Sequence, residues 1–430
     1  MIKTRLIISL LFFALSVVFS SSTVAEILPD IKEFLYDEYE IDAYGFLEAR
    51  GGLRLQNDPY EKDATIAEVR LQTDLSRDFD RVELKLKFDL LGDTVLEEFD
   101  ADLREFTLAF TPFDMMDVKV GRQILTWGTG DMLFINDLFP KDWVSFFIGR
   151  DVEYLKAPSD AVRVSLFLDS FDVDFVYVPE FCGSEYIDGS RLSYWNPLLG
   201  RTAGRDFVFR DDYPNDFGKD AEYSVRLSKN ITGIELALYG YYGFWKEPEG
   251  MDPSAMKLTY PELFVCGTSV RGAMFGGIGS AEAGYYYTRD DGSGKDPLVR
   301  NSEIRFLTGF EKELVRDFTG SMQYYLEYMQ DYDEYENSLP AGMEKTDEFR
   351  HVLTLRLTRM LMNQNLELSF FTYYSPSDAD GYARPKIHYK INDQWAAEVG
   401  GNIFFGENDY TFFGQFKDNT NAYVALRFNF

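Results

Sequence analysis

The chain has 430 residues, a formal net charge of −29 and aromatic side chains at 17% of its positions, 28 Tyr and 38 Phe among them. So acidic a chain lacks the clustered Lys and Arg of a phosphate-contacting surface, which excludes nucleic acid as a partner. With two histidines and two cysteines in all, there is no His/Cys cluster for a metal centre, and no cofactor is expected.

The first segment sets the compartment. Lys3 and Arg5 precede an apolar run from Leu6 to Phe19, and the small residues Ser20 to Ala25 follow. Charged start, short apolar core and small-residue exit form a cleavable export signal over 1–25. The run is shorter than the roughly 20 residues a spanning helix requires. Loss of the leader makes the chain two charges more negative and starts it near Glu26. In the next segment, 26–41, Ile31, Phe34, Leu35 and Tyr39 fall near helical spacing.

From residue 42 onward the period changes to two. Val69, Leu71, Thr73 and Leu75 alternate with Glu68, Arg70, Gln72 and Asp74, and Val82, Leu84, Leu86 and Phe88 with Glu83, Lys85, Lys87 and Asp89. Successive side chains of a strand point to opposite faces. Strands are predicted near 42–55, 65–76, 80–91, 103–111, 115–125, 161–169, 171–179, 220–229 and 232–243. Others fall near 263–275, 280–289, 301–312, 317–329, 347–360, 363–374, 382–391, 394–405 and 421–430. Alternation alone suits a soluble sandwich equally well. The connections decide: every second one is short, and those between are expected to be long and polar, the pattern of a membrane barrel with short turns at one end and loops at the other. The fold class is thus all-β, a transmembrane antiparallel β-barrel of about 18 strands (16–18) over 42–430, preceded by a segment that either plugs it or lies beneath it.

The last strand alternates Ala422, Val424, Leu426, Phe428 and Phe430 with Tyr423, Ala425, Arg427 and Asn429. A final strand ending in Phe resembles the signature by which the barrel assembly machinery recognises outer-membrane barrels. Aromatic clusters at Tyr239–Trp245, Tyr285–Tyr287 and Phe370–Tyr374 suit interfacial girdles. Outer-membrane lipid and lipopolysaccharide are the surroundings this implies, and homo-oligomerisation is left open.

A barrel of this size encloses a lumen that side chains cannot fill. The loop after strand five is the natural obstruction. It runs from Gly121-Arg122-Gln123 through Trp127-Gly128-Thr129-Gly130-Asp131 to Trp143 and Arg150-Asp151. Its Trp127, Met132, Phe134, Leu138, Phe139 and Phe147 are too apolar for water, so it is expected to fold inward. The stretch GRQILTWGTGDMLFINDLFPKDW resembles the Gly-Arg-Gln then Trp-Gly pattern of a poorly characterised porin-like outer-membrane barrel family of proteobacteria, with alginate-export channels a more distant likeness. This resemblance implies a pore and no particular solute. Asp131, Asp137, Lys141, Asp142, Arg150 and Asp151 are expected at the constriction, with Arg50, Arg70, Lys85, Lys87, Lys119 and Arg122 as a basic wall nearby. Charged rings select ions and polar solutes. Alternatively, these cations are simply paired with Glu48, Glu68, Glu83 and Asp89 across neighbouring strands.

Cys182 and Cys266 form a candidate disulfide joining the longest outer loop to the rim. Acidic stretches such as Asp211-Asp212, Asp290-Asp291 and Asp331–Glu336 read as solvated loop charge, or as cation bridges to lipopolysaccharide. Neither His351 nor His388 has Ser or Asp spacing that names a triad, and no catalytic residue is assigned. Two functions stand: a passive or substrate-selective channel for small polar solutes, and a non-conducting or gated barrel acting as adhesin, scaffold or hydrophobic-substrate transporter.

Overall fold

The computed structural model describes residues 31–430; the expected leader and its cleavage site lie outside them. Eighteen strands pair antiparallel with their neighbours, and the first closes on the last. They are β1 Asp42–Arg54, β2 Ala64–Phe79, β3 Val82–Asp93, β4 Glu98–Phe113, β5 Met116–Ile124 and β6 Pro158–Phe167. There follow β7 Asp172–Val178, β8 Glu222–Ile231, β9 Ile234–Phe244, β10 Glu262–Met274, β11 Gly277–Thr288 and β12 Glu303–Val315. The wall is completed by β13 Phe318–Met329, β14 Phe349–Leu361, β15 Leu366–Ser375, β16 Asp380–Lys390, β17 Trp395–Gly406 and β18 Asn421–Asn429. Each expected strand is present, and closure satisfies every edge, which removes the open strand edge that hydrocarbon would not tolerate.

The alternation sorts the side chains as a membrane barrel needs. Leu84, Leu108, Leu238, Phe306, Val399 and Val424 are exposed on the outside, whereas Glu48, Arg50, Glu68, Arg70 and Asp89 are buried within. Short turns use the backbone chemistry of tight hairpins: Thr232-Gly233 and Phe275-Gly276 take positive φ at both positions, as type I′ turns do. At the other end the loops are unequal. The connections 94–97 and 376–379 are tight rather than long, because β3, β4, β15 and β16 run further than the alternation reveals. A bulge opposite Lys87 and Phe88 places Arg104 and Glu105 side by side, both buried.

The apolar core lies inside the barrel near the long-loop end. It joins Phe146, Phe147, Ile148 and Leu155 of the loop after β5 to Leu192 and Tyr194 of the loop after β7, and to Phe413 and Phe416 of the loop after β17. Tyr382, Phe404 and Tyr423 supply the wall. Residues 31–39 are helical with Ile31, Phe34, Tyr36 and Tyr39 exposed. They sit at the short-turn end, where Lys32 lies 4.5 Å from the Tyr44 ring and Glu40 meets Arg77 at 3.6 Å.

Candidate functional site

The loop between β5 and β6, residues 125–157, folds inward and touches strands around the lumen. Its Trp-Gly-Thr-Gly turn wraps one carboxylate. Thr129 and Gly130 donate backbone N–H groups to Glu282 of β11, the latter at 2.9 Å, and Asn136 adds its backbone N–H at 3.3 Å and its amide at 3.0 Å. The glycines are required there: Gly128 has φ +81° and lies against Glu282, and a Cβ on Gly130 would collide with the Leu133 carbonyl. Asp131 then accepts two hydrogen bonds from Arg356 of β14, and the Met132 carbonyl accepts one from Tyr373 of β15 at 2.6 Å.

Beyond this latch, Asp142 caps a short helix, Trp143–Ile148, by accepting from the Ser145 N–H at 2.7 Å. Gly149 ends it in a left-handed conformation, and its carbonyl accepts from Arg50 at 2.6 Å. Arg384 donates to the Arg150 carbonyl at 2.5 Å, and Arg150 itself grips Glu68 with Nη2–Oε2 at 2.7 Å. Burial works against the Arg150 charge, yet Glu68 outweighs it and holds the guanidinium above its ordinary range. The path ends with Tyr154 donating to Asp89 at 2.8 Å and Arg104 donating to the Lys156 carbonyl at 3.0 Å.

Most of the expected site charges are therefore inside the barrel, and they are paired. Asp131 is held by Arg356; Asp137 and Lys141 are both buried and lie 3.2 Å apart. Burial lowers the Lys141 ammonium in spite of Asp137. Asp142 is spent on its helix cap. Burial alone would raise the Asp151 carboxyl, but Arg427 at 3.6 Å, Lys386 and the Glu153 N–H hold it low. Arg50 meets Glu48 and Glu398, both at 2.9 Å, and Arg70 meets Asp89 at 2.5 Å. Lys85 and Lys119 share Glu105 at 3.0 and 3.9 Å, and Lys87 reaches Glu153 at 3.4 Å. Arg70, Lys85 and Lys119 are paired across neighbouring strands, whereas Arg50 pairs with Glu48 on its own strand and with Glu398 on β17, Lys87 pairs with the inner loop, and Glu83 forms no ion pair among the described residues.

Two expectations fail. Arg122 faces outward: it stands opposite the exposed Phe106 on β4 and pairs with Asp160 on β6 at 3.2 Å. Lys119 occupies the inward parity of β5, so a residue three positions on takes the other face. The disulfide is not formed, and both cysteines are free. Cys266 is exposed on the outer face of β10, while Cys182 lies inside, its thiol donating to the Pro158 carbonyl at 3.3 Å. The barrel wall separates them.

A second cluster was not anticipated. Arg300 reaches Glu249 at 2.6 Å and also binds Glu303 and Glu327; Arg305 meets Glu303 at 2.9 Å; Arg350 meets Asp378 at 2.9 Å and Glu327 at 3.7 Å. Inward alternation of Glu303 with Arg305 was a usable signal, but Glu249 and Arg300 come from loops that carry no period. This cluster and the inner loop border an open cavity of about 440 Å³. His351 hydrogen-bonds Tyr324 at 2.8 Å, and His388 stands 3.6 Å from Glu398.

Eighteen strands, paired closure and an inward loop after β5 define one architecture. The fold is that of an outer-membrane porin barrel. OccAB3 of Acinetobacter baumannii is similar over 91% of this chain and 99% of its own, with a TM-score of 0.56 at 12% identity. OccK5 (OpdH) of Pseudomonas aeruginosa is similar over 90% and 98%, with a TM-score of 0.52 at 10% identity. OccK11 (OpdR) of the same organism is similar over 91% and 96%, with 0.51 at 10%. At the level of sequence no family model and no curated protein matches the chain, so the family likeness of the Gly-Arg-Gln and Trp-Gly stretch, and the alginate link, rest on those residues alone.

Proposed function

We propose that the chain is a porin-like channel of the outer membrane that admits small polar solutes past the inner loop. The path of that loop carries the reading. Its anchors on Glu282, Arg356, Arg384, Arg50 and Glu68 lie on strands spread round the wall. A segment held so widely narrows the lumen at a fixed depth and sets which charges line the passage. The exposed helix at the short-turn end favours a segment beneath the barrel over a plug. Export by the leader over 1–25, assembly through the strand ending at Phe430 and contact of the acidic loops with lipopolysaccharide belong to the same reading.

A gated barrel or a carrier of hydrophobic substrates is the second reading. One observation favours it: the apolar core continues from the inner loop into Leu192, Tyr194, Phe413 and Phe416.

Ion selectivity in planar bilayers, measured after Asp131→Asn and Asp137→Asn, separates the cases. Neutralising Asp131 leaves Arg356 without its partner, so selectivity is expected to move toward anions. Unchanged selectivity and conductance remove the loop from the mechanism.

A further inference from the structure

We propose that the cavity above the inner loop is a binding site for aromatic solutes that carry no negative charge; this names a solute class for the channel reading and rests on it. At about 440 Å³ the cavity lies in the range of small-molecule pockets, which runs from about 300 to 1,000 Å³. Trp143, Trp245, Tyr325, Tyr373, Phe412 and Phe413 line it. Trp143 and Phe412 are the rings a planar guest can reach, and Trp245, Tyr325, Tyr373 and Phe413 are buried behind them.

Every lysine and arginine that lines the cavity is already paired, which disfavours an anion. Arg300, Arg305 and Arg350 are matched by Glu249, Glu303, Glu327 and Asp378, four carboxylates against three guanidiniums. Lys141 is taken by Asp137, and Lys246 by Glu222 at 2.6 Å. Glu247 also lines the cavity; it accepts a hydrogen bond from the Trp143 indole at 2.8 Å and has no ion-pair partner among the described residues. An anionic guest would have to break one of these pairs and leave a carboxylate uncompensated, a costly exchange in a partly buried site. A neutral aromatic guest leaves each of these ion pairs in place, and its hydroxyl groups meet a carboxylate able to accept.

Three glycosides test this on the refolded mature chain in detergent, by isothermal titration and by block of single-channel current. Phenyl β-D-glucoside should bind at least tenfold more tightly than phenyl β-D-glucuronide, which differs by one carboxylate. Methyl β-D-glucoside, which lacks the ring, should not bind over the same range. Phe412→Ala should weaken the phenyl glucoside severalfold, with folding checked by gel mobility; Glu247→Lys should narrow the gap between glucoside and glucuronide. Glucuronide binding as tight as glucoside, or methyl glucoside binding as tight as phenyl, overturns the proposal. Conduction without glucoside binding removes the site and spares the channel, whereas binding without conduction does the reverse.

Discussion

Asp131 of the inner loop and Arg356 of β14 form a two-pronged ion pair, with Oδ2 2.6 Å from Nε and Oδ1 2.8 Å from Nη2. The two residues are 225 positions apart in the chain, so the pair fixes the loop to a wall it could not reach by local structure. Both groups are partly exposed, which discounts the strength of a paired fork to about 1–2 kcal/mol. A double-mutant cycle with Asp131→Ala and Arg356→Ala, read as thermal unfolding in detergent, should return a coupling of that order. Strictly additive losses would show that the pair does not hold the loop.

The glycines beside this pair should be costly to replace, and unequally so. Gly128→Ala forces an L residue to φ +81° with its Cβ 3.0 Å from Glu282, a strain of about 1–2 kcal/mol. Gly130→Ala meets the Leu133 backbone carbonyl, which cannot step aside, and should be the worse. Limited proteolysis between 125 and 157 should report both, with Gly130→Ala cut faster.

Phe147 is 2% exposed and packs against Tyr382, Phe404 and Phe416 with ring centroids 5.2–5.5 Å away. Phe147→Ala should cost about 3–5 kcal/mol by leaving a cavity inside the core. The heat-induced mobility shift of the barrel on a gel measures the loss; an unchanged transition would mean that the inner loop is only loosely packed.

Glu61, in the loop after β1, gives a pH-dependent contact. Burial pushes its carboxyl up to about 7 from an ordinary 4.5, even with Arg54 and Arg205 nearby. An acid raised in the folded state stabilises it fully below the ordinary value, and that stability is lost as pH climbs through the raised one. Burial of Glu61 against Gly204 should therefore become less favourable between about pH 5 and 8, even though its ionised form is the one that pairs with Arg205. Hydrogen exchange at Gly204 and Arg205 should speed up over that window more than base catalysis accounts for, and Glu61→Gln should abolish the excess.

The strands were legible because alternation is a local property: Leu84 beside Lys85 reveals a wall with an apolar and a polar face without knowledge of the neighbouring strand. The inward loop was legible for a similar reason, since Trp127, Phe146 and Phe147 in one connection demand cover. What escaped depends on register and on residues far apart. Nothing local to Glu282 marks it as the partner of Thr129 and Gly130. The charge of Arg122 suggests the lumen, but its parity with Lys119 puts it outside, and Cys182 and Cys266 are near the same rim yet take opposite faces of the wall. The cluster of Arg300, Arg305 and Arg350 needed two loops and three strands to meet.

Single-channel recording of the refolded chain in a planar bilayer shows whether the barrel conducts past its inner loop. Discrete conductance steps are expected, and larger or noisier ones when Arg356→Gln and Glu282→Gln together release the inner loop. Silence from both the natural chain and the released variant, across the accessible voltage range, would contradict the channel reading.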